Sequence, residues 1–363
     1  MRYFIIAGEP SGDIHGANLI KAIKQVDADA NFAFWGGDQM QKEANTKPLK
    51  HISELAFMGF VEVLLNLKTI LTNFKLCKHQ IGEYQPNAVI FIDYPGFNLR
   101  MAKWAKQNQL KTIYYISPQI WAWKENRVKT IKTYVDQMIC ILPFELDFYK
   151  KHGVHAHYVG HPLLDAIDNL PLSESKRKGI ALLPGSRKQE IKKMLPTMLK
   201  VAASLQNQQF IIGAAPSISK QYYQSFTLTS NVKIAYGKTQ EIMRQSEAAL
   251  VTSGTATLET ALFETPLVVC YKASAISVAI ARRLIKVKFI SLVNLITDKE
   301  IVKELIQNDY NAKNLQCELQ NIMNGPKRKT LQNEFIELKK LLGNKGASKR
   351  AADIIYSTVK TNL

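Results

Sequence analysis

Tyr3-Phe4-Ile5-Ile6-Ala7-Gly8-Glu9-Pro10-Ser11-Gly12-Asp13-Ile14-His15-Gly16-Ala17 decides how this chain is read. The leading apolar run is too short for a signal-peptide core and fits a buried first β-strand. Gly8, Gly12 and Gly16 lack a Cβ, so the backbone turns tightly there and lets a ligand approach. Ser11 or Asp13 is placed to cap the helix that follows, and a helix N-terminus in that position attracts an anion. An ordinary capped turn would carry the same small residues. Glu9 and His15 add groups able to exchange protons at the edge of a cleft.

The same strand-then-helix rhythm runs outward from this turn. Strands are expected at Tyr3–Ala7, Phe32–Trp35, Ala88–Ile92, Thr112–Ile116, Gln137–Ile141 and His157–Val159. A polar stretch, Asp168 to Lys178, interrupts the pattern and suits a linker. It restarts with Ile180–Leu183, Gln209–Ile212, Val232–Ala235, Ala248–Val251 and Leu267–Cys270. Two βαβα series predict an α/β protein of two Rossmann-like, doubly wound parallel sheets facing a cleft. The expected domains are residues 1–168 and 176–345. Residues 346–363 are expected to form a helix on the first domain or on a partner subunit.

The 363 residues suit two cores rather than one. Lys and Arg number 48 against 30 Asp and Glu, a net charge of +18. Such a surplus favours a phosphorylated or anionic partner, yet no compact basic block or nucleic-acid signature is present. A basic nucleic-acid-binding protein is therefore the disfavoured rival. Cys77, Cys140, Cys270 and Cys317 show no metal or disulfide spacing, so reduced thiols are expected. His152, His155, His157 and His161 cluster in sequence, but no carboxylate or cysteine interleaves them. No metal and no cofactor are expected.

Four further stretches carry chemistry. Ile90-Phe91-Ile92-Asp93-Tyr94-Pro95-Gly96-Phe97-Asn98 ends a buried strand in a carboxylate. Asp93 is either a general base raised by burial or a cap for the helix after Pro95. Ser117-Pro118-Gln119-Ile120-Trp121-Ala122-Trp123-Lys124 offers Gln119 as a polar contact and two tryptophans for the core. Pro184-Gly185-Ser186-Arg187 brings N–H groups, a helix end and a guanidinium to one spot, as a diphosphate requires. Ser253-Gly254-Thr255-Ala256-Thr257-Leu258-Glu259 repeats that design, with Glu259 one turn in for ribose hydroxyls. Separately, Ala56–Phe74 is rich in apolar residues, including Met58, Phe60, Val61, Leu64 and Leu65. It is either a buried helix or a membrane-surface one.

These motifs, with Phe289-Ile290-Ser291-Leu292-Val293-Asn294-Leu295 and Lys303-Glu304-Leu305-Ile306-Gln307, resemble the lipid-A-disaccharide synthase family in order over nearly the whole chain. The resemblance implies a GT-B fold. It implies transfer of 2,3-diacylglucosamine from UDP to 2,3-diacylglucosamine 1-phosphate, giving a β-1,6 disaccharide. It implies Asp93 as base with His15 or Glu9 assisting. A UDP-sugar pocket is implied at Gly8, Ser11, Gly12, Gln119, Gly185, Ser186, Arg187, Ser253, Gly254, Thr255, Glu259, Asn294, Glu304 and Gln307. A homodimer, peripheral on the cytoplasmic face of a Gram-negative inner membrane, is implied too. A UDP-N-acetylglucosamine 2-epimerase is the nearest alternative. Val293 stands where many members have proline, which predicts a looser turn at Asn294.

Overall fold

The computed structural model describes residues 1–55, 67–168, 177–274, 287–324 and 326–361. Met58, Phe60, Val61, Leu64, Leu65 and most of the expected linker lie outside them. Contacts gather the chain into two units. One is Met1–Asp165 together with Asn344–Leu363, and the other is Ala166–Gly343.

Among the described residues the first unit has strands β1 (Arg2–Ala7), β2 (Asn31–Gly36), β3 (Lys50–His51), β4 (Ala88–Ile92), β5 (Lys111–Tyr115), β6 (Gln137–Cys140) and β7 (Ala156–Tyr158). They form one sheet in the order β3-β2-β1-β4-β5-β6-β7, and every pair is parallel. Parallel strands buried on both faces need continuous apolar runs. Tyr3–Ala7 and Ala88–Ile92 supply them, and all ten of these residues are buried. Strand order reverses between β1 and β4. The turns after these two strands, at Gly8 and Asp93, therefore adjoin at the switch point where such sheets hold ligands.

The second unit repeats the plan with β8 (Ile180–Leu183), β9 (Phe210–Ala214), β10 (Val232–Tyr236), β11 (Ala248–Thr252), β12 (Leu267–Tyr271) and β13 (Glu304–Ile306). Their order is β10-β9-β8-β11-β12-β13, again all parallel. The reversal here lies between β8 and β11, which places the Gly185 and Gly254 turns side by side.

Asp13 does not cap its own helix. Helix Pro10–Val26 starts from Glu9 without a side-chain cap. Asp13 is buried and accepts from the N–H groups of Gly37 at 2.7 Å, Gln39 at 3.0 Å and Met40 at 3.0 Å. It thus satisfies the orphan donors at the start of helix Asp38–Ala44.

Helix Ala347–Lys360 packs on helix Pro10–Val26. Asp165 accepts from the Gly346 N–H at 2.6 Å, just ahead of that helix. Arg350 donates to the carbonyls of Val159 (2.9 Å), Lys345 (2.6 Å) and Asn344 (2.7 Å). No described helix is long and apolar enough to cross a membrane.

Candidate active site

In the first unit the site is built on the turn after β4. Asp93 and Tyr94 both have left-handed backbones, with φ 42° and 48°. Buried Asn98 holds them there: its Nδ2 donates to the carbonyls of Asp93 (2.9 Å), Ile92 (3.2 Å) and Ile6 (3.3 Å). Tyr114 Oη also donates to the Asp93 carbonyl, at 2.5 Å. The Tyr94 ring lies over Gly8, where any Cβ would overlap its carbons. The glycine at position 8 therefore serves close packing by Tyr94.

Burial, and then the nearby Glu9 carboxylate, push the Asp93 carboxyl up to about 7, while the Tyr94 N–H pulls it down. A carboxylate of that pKa is suited to take a proton near neutrality. Glu9 is thus the carboxylate that Asp93 feels. His15 lies near His161, and burial lowers the two to about 4 and about 3. Both rings are neutral at pH 7, and His161 Nδ1 accepts from the Leu163 N–H at 3.2 Å. Ser11 is exposed and Gly12 packs toward Ala7.

The tryptophans split. Trp121 Nε1 donates to Glu145 at 3.1 Å and its ring packs edge-on against Phe144. Glu145 is fully buried, and desolvation raises it to about 7. Trp123, expected in the core, is 42% exposed. Gln119 is exposed at the start of helix Ile120–Trp123. His152 bonds Glu125 and the Phe148 carbonyl, and His157 bonds Gln137, so these histidines serve separate local contacts.

In the second unit, Glu190 answers the Gly185-Ser186-Arg187 turn. Its Oε2 accepts from the N–H groups of Ser186 (2.9 Å) and Arg187 (3.2 Å), and its Oε1 accepts from Arg187 Nη1 at 2.9 Å. The backbone donors expected to bind phosphate here are held by the chain's own carboxylate. Gly185, at φ 112°, leaves no room for a Cβ beside Glu190. The start of helix Thr255–Leu262, next to this turn, is exposed and its first N–H groups have no side-chain cap. Ser253 Oγ donates to the Ile290 carbonyl at 2.9 Å, so it shapes this loop. Glu259 accepts from Gln240 at 2.6 Å.

Asn294 and Glu304, read as pocket contacts, are instead structural. Asn294 is buried, donates to the Val302 carbonyl and Glu304, and accepts from the N–H groups of Ile301 and Val302. Glu304 accepts from the N–H groups of Ile290 and Ser291, both at 2.9 Å. Ser291 caps helix Leu292–Thr297, and Val293 is buried in its first turn. A proline is tolerated there because those N–H groups have no intrahelical partner, so valine does not loosen the turn. Gln307 follows β13 with φ 56°, on the same sheet edge as Arg187 and Thr255.

Tyr94, Asn98, Tyr114 and Glu190 were not assigned roles from sequence, and His161 was read only as lining a hinge ahead of the linker. The Asp93–Asn98 stretch held the signal for two of them, since a proline two residues after Asp93 limits which turns can precede it.

Two parallel-sheet Rossmann-like units, each with charged turns at its switch point, define a GT-B glycosyltransferase fold. Similar solved structures include the glycotransferase of kitacinnamycin, with a TM-score of 0.69, 12% identity and 99% of each chain covered. The UDP-GlcNAc 2-epimerase of Methanocaldococcus jannaschii, in complex with UDP-GlcNAc and UDP, has a TM-score of 0.65 and 13% identity, covering 98% of this chain and 100% of that one. These likenesses carry the fold alone. The chain belongs to the lipid-A-disaccharide synthase family: the model of lipid-A-disaccharide synthetase matches residues 3–356. The lipid-A-disaccharide synthase of Syntrophus aciditrophicus is 39% identical over 98% of this chain and 97% of its own length. That of Trichlorobacter lovleyi is 38% identical over 99% and 98%.

Proposed function

We propose that the chain is an inverting glycosyltransferase that moves 2,3-diacylglucosamine from UDP to the 6-hydroxyl of 2,3-diacylglucosamine 1-phosphate. The observation that carries this reading is Asp93: a carboxylate with pKa raised to about 7, in a clamped left-handed turn at a strand end. It accepts the hydroxyl proton as the new C1–O bond forms and the bond from C1 to the UDP phosphate oxygen breaks. Charge then grows on the departing UDP. The start of helix Thr255–Leu262 supplies the opposing positive charge, and the Arg187 guanidinium, on the same edge of the second sheet, adds to it by exchanging Glu190 for the diphosphate. Gln307 completes the donor pocket, and the second oxygen of Glu259 serves the ribose.

Asp93→Asn tests this directly. Loss of a positioned base costs about 10²–10⁴ in rate, so kcat should fall by that factor while UDP affinity, measured by calorimetry, stays within about twofold. Normal turnover by that variant would remove Asp93 from the role. Turnover is expected to persist in EDTA, since the charge stabilisation assigned here uses protein groups.

The reading extends to a homodimer working on the cytoplasmic face of the inner membrane, with Met58, Phe60, Val61, Leu64 and Leu65 entering the lipid surface. Serine at Phe60, Leu64 and Leu65 should reduce co-sedimentation with anionic liposomes and leave the melting temperature in place. Undiminished sedimentation would count against it.

A further inference from the structure

Beside the Asp93 turn stands a group of cations that the chemistry above leaves unused. Arg100 is exposed on helix Pro95–Gln107. Lys124 and Arg127, both half-buried, follow helix Ile120–Trp123. The Lys124 ammonium lies 4.2 Å from the centre of the exposed Trp123 ring, and the Arg127 guanidinium 5.6 Å from it. Cations on an aromatic face have a fixed direction but no charge balance.

No carboxylate supplies that balance among the described residues. Arg127 is pulled down first by burial. Tyr114 pulls it up, and Arg100 lowers it again. Lys124 is lowered by burial and by Arg127. A partly desolvated guanidinium beside two more cations is costly when it stands alone and favourable once an anion arrives. Its position is also informative. Tyr114 influences Arg127 and, through its hydroxyl, bonds the Asp93 carbonyl. The cations therefore sit next to the base without touching it.

We infer that Arg127, with Arg100 and Lys124, seats the phosphate monoester of the acceptor, with the Trp123 ring as one wall. This rests on the reaction proposed above and adds to it the residues that choose a phosphorylated acceptor. The reacting hydroxyl is carried on C5 through C6 and the phosphate on C1, on either side of the ring oxygen, so base and seat belong near each other but apart. Arginine suits the task because its planar fork matches phosphate oxygens.

The test compares two acceptors in neutral detergent micelles with the UDP-diacyl sugar as donor: 2,3-diacylglucosamine 1-phosphate and the same lipid without phosphate. Arg127→Met should raise KM for the phosphorylated acceptor by about 10- to 100-fold, the worth of one to a few charged hydrogen bonds. KM for the donor and for the phosphate-free acceptor should not move, so the preference collapses. Arg127→Lys should recover part of it. If Arg127→Met melts too early to assay, the double variant Arg100→Gln, Lys124→Gln decides by the same ratio, since neither side chain holds a hydrogen bond among the described residues. A phosphate preference unchanged in these variants overturns the inference. A headgroup phosphate is the other source of such an anion. Variants that lose sedimentation with phosphatidylglycerol vesicles yet keep the acceptor preference in micelles would assign the cations to the lipid surface and overturn it as well. A wild-type chain that turns over neither acceptor would instead defeat the reaction, and the seat with it.

Discussion

Asp93 and Tyr94 each spend about 1–3 kcal/mol on a left-handed backbone that only glycine adopts freely. Asn98, Tyr114 and the ring of Tyr94 over Gly8 keep them there. The product is a carboxylate whose pKa lies near 7, and two outcomes follow from its sign. As a base Asp93 works ionised, so kcat/KM should fall with unit slope below about pH 7. Glu9→Gln removes a negative neighbour, makes ionisation easier and should move that limb to lower pH. A pH–rate profile of the two proteins checks this, and an unmoved limb would separate Glu9 from Asp93. The second outcome concerns stability. A carboxyl with a higher pKa folded than unfolded holds its proton more tightly in the fold. Its contribution is largest at low pH and declines as pH rises from the ordinary carboxylate range to about 7. Asp93→Asn, with no charge to bury, should therefore melt higher than the parent at pH 8 and close to it at pH 4. Asp93 stood out in the sequence, as base or as cap, because a carboxylate ends an apolar run there. The left-handed turn did not, since it depends on Asn98 reaching Ile6, 92 residues away.

At the scale of elements, most strands announced themselves, the edge strands β7 and β10 among them, and the edge strands β3 and β13 did not. β4 and β8 occupy the residues their apolar runs predicted, and the other long strands differ by a residue or two at their ends. β3 is only Lys50 and His51, and β13 has three residues beginning at Glu304, so neither shows an apolar run that marks a strand. Partner choice for polar side chains was equally hidden. Asp13 looked like a cap for its own helix, yet it caps the next one, because that helix starts beside it in space. Asp13→Ala should lower unfolding free energy by about 2 kcal/mol or more, since three N–H groups lose a charged acceptor. Urea unfolding measures this, and the change should leave KM for the donor alone. Asn294 and Glu304 misled in the other direction. They looked like ligand contacts, but their polar atoms join the segment 290–291 to the segment 301–304. The Gly185 turn was read as a cradle for a diphosphate, and sequence alone did not show that Glu190 already lies in it.

At the scale of the molecule, the first unit is made from both ends of the chain. Helix Ala347–Lys360 covers helix Pro10–Val26, the helix that follows Glu9 and carries His15, and Asp165 and Arg350 fasten it. The doubled strand-helix rhythm made two units legible. The return of the last helix left no mark beyond its amphipathic spacing, because its partner is more than 300 residues away. Removing residues 347–363 should expose apolar surface on helix Pro10–Val26. The expected result is a lower-melting first unit and a second unit that still unfolds at its original temperature, seen as two transitions by calorimetry. A single unchanged transition would show the helix to be dispensable.

During synthesis the order of events follows from that return. The unit bearing Asp93 is begun first at the ribosome and waits for its cover until the whole of Ala166–Gly343 has been made. For that interval its first helix presents a bare apolar stripe, so a chain stalled after unit two would be a target for chaperones and a poor enzyme, however well its second half had folded.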